Sequence, residues 1–298
     1  MTERTVLATC RIMVGMWEIR TTGDLATRAL AVARELPGVV VCRATAAWLW
    51  GLDVLPPGVR DETWDVDVLT PPGLPLPRLP RIRTHPGRPR DEDVTAACGI
   101  LLTDPVRTAV DCAYAMPRYA ALAALDTFLR AGVPPADLRR RLNAGGAVPG
   151  RAQAAELLPL ADPRADSPGE SWARLLIIDA GLPTPAPQVP VPCFDGHYYL
   201  DLGIPAYRTA IEYDGHAHHD TSAALRRDRG RRALIRASGW EVVVIRHHDV
   251  RAWPHLFLRS VYEVLLAQGW RPPDARRVEI ETRIRKIAAQ ARLDQGLR

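Results

Sequence analysis

Lysine is all but missing from this chain: Lys286 is the only one among 298 residues, and arginine supplies every other basic side chain. A GC-rich coding sequence accounts for such a bias, but it has a chemical consequence. Mechanisms that need a catalytic lysine have only Lys286, far out in the C-terminal tail, to draw on. Cysteine is sparse and scattered. Cys10, Cys42, Cys98, Cys112 and Cys193 are odd in number and show no CxxC spacing, which excludes a disulfide framework or a zinc knuckle and fits a reducing compartment. No apolar run approaches the length of a membrane span. The first seventeen residues have an apolar tint, but Arg11 interrupts it and no small-residue cleavage site follows, so a cytoplasmic location and no membrane partner are expected.

What is present describes a folded chain. Hydrophobic residues make up 47% of it and charged residues 24%, with eight tryptophans, enough for two domains of ordinary size. The formal net charge is +5 and the pI about 9.2, a balance that suits a polyanionic partner.

The hydrophobic periodicity predicts an amphipathic helical lead-in over residues 1–38, ending near Pro37-Gly38. A short strand follows at Val39-Val40-Val41, then a helix from Arg43 to Trp50. Strict alternation from Trp64 to Thr70 marks a half-buried strand, and Arg81 to His85 alternates again after a proline-rich loop. Gly99 to Leu102 reads as a strand. Thr103-Asp104-Pro105 then supplies a capping side chain and a proline for a first helical turn. Helices are expected at about 105–116, 118–131, 135–143 and 150–159, and the polar segment 161–166 is read as a domain boundary.

Beyond it the pattern is helix, three strands, helix, strand, helix, with a charged tail over 271–298. The three strands are Gln188–Val191, His197–Ile204 and Arg208–Tyr213. If the last two pair as a hairpin about the loop Pro205 to Arg208, Leu202 falls opposite Ile211 and Asp201 opposite Glu212. Opposed Cβ atoms lie roughly 4.5–5.5 Å apart, so two acids there invite a cation. Asp214 projects on the same side as Glu212, and the set is a hard-oxygen site suited to Mg²⁺ or Mn²⁺. The plain alternative is a solvent-facing strand that happens to be acidic. Zinc on His216, His218 and His219 is disfavoured by the absence of nearby cysteine.

These residues carry a resemblance. Asp201-Leu202, Ile211-Glu212-Tyr213-Asp214-Gly215, His218, Asp228, Arg232, Leu234 and Gly239-Trp240-Glu241-Val242 resemble a bacterial family related to the very-short-patch mismatch repair endonucleases, within the PD-(D/E)XK nuclease superfamily. The resemblance implies a restriction-endonuclease-like αβββαβα core with a central mixed sheet over residues 165–270. It implies Asp201 and Glu212 as metal ligands, His218 beside the attacking water or scissile phosphate, and Glu170 as the helical acid. The superfamily's lysine is replaced here by Asp214, which leaves the general base open between His218 and a metal-bound hydroxide. Ser167-Pro168-Gly169-Glu170 also reads as a capping box, so Glu170 has a structural role available as well. The helix at 222–237 offers Arg226, Arg227, Arg229, Arg231, Arg232 and Arg236 against the single acid Asp228. Arg226, Arg227, Arg229, Arg232 and Arg236 are expected to contact DNA phosphates. A merely solvated basic helix, with Asp228 paired to Arg232, is the alternative.

The N-terminal part, residues 39–164, is expected to be an α+β domain in a chain that is α/β as a whole. Ala44 to Leu52 and Gly99 to Asp111 resemble the domain of abortive-infection antitoxins of type IV toxin–antitoxin systems, which implies a toxin or defence-system partner. No winged helix is legible in residues 1–36. Arg107 and Asp111 read as an i,i+4 ion pair. The expectation from sequence is therefore a metal-dependent endodeoxyribonuclease, with a non-catalytic DNA-binding or antitoxin-like regulator as the alternative.

Overall fold

The computed structural model describes residues 12–14, 17–20, 23–73, 79–146, 148–193, 196–215 and 222–294, with the backbone alone at 12–14, 17–19, 193 and 222–228. The chain divides into two compact units, one of Met1–Leu55 with Val59–Ala161, the other of Pro56–Gly58 with Asp162–Arg298. Both are mixed α/β.

In the first unit the lead-in is not helical throughout. Strands β1 (Ile12–Val14) and β2 (Trp17–Ile19) pair antiparallel before helix α1 (Asp24–Glu35) begins. The β-branched Ile12, Val14 and Ile19 favour extended backbone over a helix. Helix α1 is not a separate arm either, because Leu25, Ala26, Ala29 and Leu30 enter the unit's core beside Leu49, Val68 and Leu102. After it come β3 (Val40–Val41), α2 (Arg43–Leu49), β4 (Val66–Thr70), β5 (Ile82–Pro86), β6 (Val94–Ala97) and β7 (Ile100–Thr103). The sheet runs β5-β4-β3-β7-β6, with β4/β5 and β3/β7 parallel and the other pairs antiparallel. Strand β4 was expected to be half-buried, yet Asp67 on it is 2% exposed. Its carboxylate is met by His85 Nε2 at 2.8 Å and Trp64 Nε1 at 3.2 Å, which makes burial tolerable.

Four helices follow: α3 (Pro105–Ala115), α4 (Arg118–Arg130), α5 (Pro135–Ala144) and α6 (Arg151–Leu157). Asp104 caps α3 by accepting from the backbone N–H groups of Val106 and Arg107, with Pro105 in the first turn. Helix α4 is buried on nearly every side, and Ala120, Ala121, Ala123 and Ala124 let its neighbours approach closely.

The second unit orders its elements as helix α7 (Pro168–Asp179), strands β8 (Ala186–Cys193), β9 (Gly196–Ile204) and β10 (Thr209–Asp214), helix α8 (Ser222–Ala237), strand β11 (Glu241–Arg246), and helices α9 (His247–Arg251), α10 (Pro254–Ala267) and α11 (Asp274–Asp294). The sheet runs β11-β10-β9-β8, parallel only between β10 and β11. Pro187, Pro190 and Pro192 sit on β8. They lack N–H donors and so belong on an edge strand, which they blunt against further pairing. The charged tail is helical as α11 and buries Ile280 and Ile284, so it is part of this unit. No helix among the described residues is long and apolar enough to cross a membrane.

Candidate functional site

Helix α7 brings the first acid. Ser167 caps it, its hydroxyl accepting from the Glu170 backbone N–H at 3.2 Å and donating to Glu170 Oε1 at 2.8 Å. The other carboxylate oxygen accepts from the backbone N–H of Asp166 at 3.0 Å, one residue earlier than a capping box expects. Gln188 Nε2 stands 3.5 Å from the same oxygen. Glu170 is 6% exposed. The turn comes this close to the sheet because residue 169 is glycine. A Cβ there would lie 2.0 Å from Cζ of the Tyr213 ring.

The hairpin of β9 and β10 supplies the other two. Its loop is a 3-10 turn at Pro205–Tyr207 closed by Arg208 in left-handed backbone, φ 42°. The pairs Thr209–Ile204, Ala210–Gly203 and Ile211–Leu202 set the register predicted from the sequence. The ladder stops there. Instead of a backbone pair at the next position, the N–H of Tyr213 donates to Asp201 Oδ2 at 2.8 Å. On the other side of β9 the pairing also skips one place, between Pro187–Leu202 and Val189–Leu200, where Gln188 has φ 52°. Asp201 thus occupies a gap in the ladder on both flanks. Strand β10 continues against β11 through Asp214–Arg246.

Glu212 is 3% exposed. Its Oε2 accepts from Arg231 Nη1 of α8 at 2.6 Å, while its Oε1 is buried with no hydrogen-bond partner among the described residues. Burial, and next the charge of Asp201, push Glu212 up from an ordinary 4.5 to about 7, against the pull of Arg231. Glu170 is likewise raised to about 7, chiefly by burial, with Asp201 adding to it. Asp201 itself is raised by burial, opposed by the Tyr213 N–H and by Arg231. Each of the two glutamates feels Asp201, so the three acids form one electrostatic cluster that is hard to charge fully at neutral pH.

Asp214 belongs to the rim. It faces Arg246 Nε at 3.6 Å and Arg232 Nη2 at 3.9 Å. Arg232, expected on DNA phosphates, is therefore turned inward to a carboxylate, because Asp214 presents charge to the same face of α8. Arg229 is exposed, and Arg236 is exposed with Nη2 3.4 Å from the Val242 carbonyl. The side chains of Arg226, Arg227 and Asp228 lie outside the described residues, as do His216, His218 and His219. Two participants were given no site role from the sequence. Arg231 is one arginine in a run of similar ones, and Gln188 is a lone amide among prolines.

Among the described residues no group of three or more His, Cys, Asp or Glu is arranged to hold a metal ion. The donor set nonetheless fits a hard divalent cation in kind, since all its members are carboxylates and Glu212 Oε1 is buried without a partner.

The family described as AbiEi antitoxin C-terminal domain matches residues 39–160, a span that lies in the first unit apart from Pro56–Gly58. Two curated relatives are the uncharacterized proteins Rv2248 and MT2308 of Mycobacterium tuberculosis. Each is 35% identical over 238 residues, which covers 78% of this chain and 83% of the relative. No solved structure gives a significant match.

Proposed function

The chain belongs to the family of these mycobacterial proteins, and from that premise we propose that it is a regulator of the antitoxin type. Its first unit engages a toxin or defence-system partner, and its second unit uses a nuclease-like scaffold to hold DNA. The match of the AbiEi antitoxin C-terminal domain to residues 39–160 carries this reading. The basic charge of the chain and the arginines of α8 support DNA as the ligand. A reporter driven by the chain's own upstream region tests it. Expression should fall when the protein is supplied, and the same DNA should shift in a gel without being cut. An unaffected reporter, together with no shift at micromolar protein and low salt, overturns the reading.

A second reading, hydrolysis of a DNA phosphodiester bond, is favoured by the cluster of Glu170, Asp201 and Glu212. Mg²⁺ or Mn²⁺ held by Asp201 and Glu212 would supply a polarised phosphate and a water of lowered pKa. The chain's own part is then definite. Glu170, raised to about 7, can hold or release a proton beside the phosphate, while Glu212 as a ligand would stay a carboxylate. The exposed arginines of α8 orient the backbone. Incubation of purified protein with supercoiled plasmid and either ion separates the readings. Nicking that is lost in Asp201→Ala and Glu212→Ala establishes the enzyme, and intact plasmid under both ions leaves the regulator.

A further inference from the structure

The antitoxin-like unit contains a cleft of ≈ 730 Å³, within the roughly 300–1,000 Å³ typical of small-ligand sites. Its floor is an ion network. Arg107 Nη1 and Arg141 Nη2 both reach the same oxygen of Asp93, at 2.9 and 2.8 Å, and Arg107 Nε lies 2.8 Å from each oxygen of Asp111. Asp93 is 4% exposed. The Arg107–Asp111 pair read from the sequence is therefore one edge of a larger device, in which a buried acid orders guanidinium groups from α3 and α5.

This network alone leaves donors over. Arg141 Nε and the Tyr114 hydroxyl have no hydrogen-bond partner among the described residues. Both atoms are closed to solvent although their residues line the cleft, so a ligand meets them only after a small side-chain shift. Arg43 also lines it, from a left-handed backbone with φ 53°. Its Nη1 stands 3.2 Å from His85 Nε2, the nitrogen that already lies 2.8 Å from Asp67. One imidazole nitrogen cannot both accept from Arg43 and donate to Asp67, so Arg43 keeps donor capacity. Arg88 and Arg90 add charge at the mouth. Five arginines thus line a cleft whose only lining carboxylates among the described residues are Asp93 and Asp111. Asp67, behind His85, and Glu92, on Arg90, offset part of the excess.

We propose that this cleft binds a phosphate-bearing small molecule of nucleotide size, with Arg43, Arg141, Tyr114 and Arg88 donating to its phosphate oxygens. The donors come from separate elements, α2, α3, α5 and the segment after β5, so they meet acceptors pointing in several directions. A tetrahedral phosphate offers that, and a single planar carboxylate does not. The site makes the unit responsive to a ligand, which goes beyond its role as an antitoxin-like regulator.

Isothermal titration of the full chain with pyrophosphate, ATP and citrate tests it. Pyrophosphate or ATP should bind and citrate, as a polycarboxylate control, should bind at least about tenfold more weakly. Arg141→Gln and Arg43→Gln should each weaken phosphate binding about tenfold. Arg88→Gln, at an exposed position that leaves the fold alone, should weaken it about threefold. A short DNA duplex is titrated in parallel. If ATP competes with it and the same variants weaken it, the bound phosphate belongs to nucleic acid rather than to a free nucleotide, and the small-molecule assignment falls. Absence of heat with both phosphates at millimolar concentration, or equal binding by all three variants, removes the site altogether.

Discussion

At Glu212 two forces oppose each other, and their balance is measurable. The Arg231 guanidinium at 2.6 Å favours the carboxylate, yet burial and Asp201 raise its pKa to about 7. Desolvation wins because only one of the two oxygens is paired. A carboxyl whose folded pKa lies above its unfolded value binds its proton more tightly when folded. The folded state is therefore favoured below about pH 4.5, loses that advantage as pH rises toward 7, and is flat above. For Glu212 the loss is on the order of 1–3 kcal/mol. Glu212→Gln should accordingly be more stable than the parent at pH 8 by about that amount and close to it at pH 4, by urea denaturation. A variant less stable at pH 8 would mean that the Arg231 pair outweighs the burial cost. Conversely, Arg231→Met should destabilise by about 1–3 kcal/mol at pH 8 and by less at pH 5, where Glu212 can take a proton. The acids were legible in the sequence because alternation fixes which residues share a strand face. Arg231 was not, since six arginines on one helix look alike until the fold shows which one meets Glu212.

At the scale of elements, two glycines in helices give opposite expectations from one rule. Helix propensity favours Ala over Gly by about 1 kcal/mol in a helix interior, as at Gly230, and by less in the first turn, where Gly169 sits. In α8, a Cβ on residue 230 would meet nothing within 4 Å among the described residues, so Gly230→Ala should stabilise by roughly 0.5–1 kcal/mol. In α7, a Cβ on residue 169 would lie 2.0 Å from the Tyr213 ring. Gly169→Ala should therefore cost more than about 2 kcal/mol despite the better propensity, with thermal unfolding as the measure. A neutral Gly169→Ala would show that the ring can swing aside and that α7 is not pinned to β10. Elements with caps were legible: the helix expected at about 105–116 is Pro105–Ala115, started by Asp104 and Pro105. Strand β6, Val94-Thr95-Ala96-Ala97, was missed because two of its four residues are alanine and its turn into β7, Cys98-Gly99, has Cys where Asn or Asp would mark a hairpin. The helix expected from the first residues starts only at Asp24, since an apolar tint without caps does not distinguish helix from strand.

For the molecule as a whole, the proposed DNA binding turns on which part of the charge faces phosphates. A formal +5 spread over the chain gives general attraction, but phosphate contacts leave a count. The logarithm of affinity falls with the logarithm of salt by about 0.9 per phosphate neutralised on duplex DNA. In the second unit Arg231 and Arg232 already face Glu212 and Asp214, whereas Arg229 is exposed. Composition could suggest a polyanionic partner but could not separate these roles, because arginines that pair internally and arginines that face solvent are the same letter. If α8 is the DNA-contacting element, the triple substitution Arg226→Gln, Arg227→Gln, Arg229→Gln should lower the salt slope by about 2–3 while leaving thermal stability near that of the parent. If the first unit carries the binding, the slope stays the same and only substitutions there change it. A slope unchanged by α8 but lowered by Arg88→Gln would place the nucleic acid on the antitoxin-like unit and leave the carboxylate cluster of the second unit without a DNA substrate.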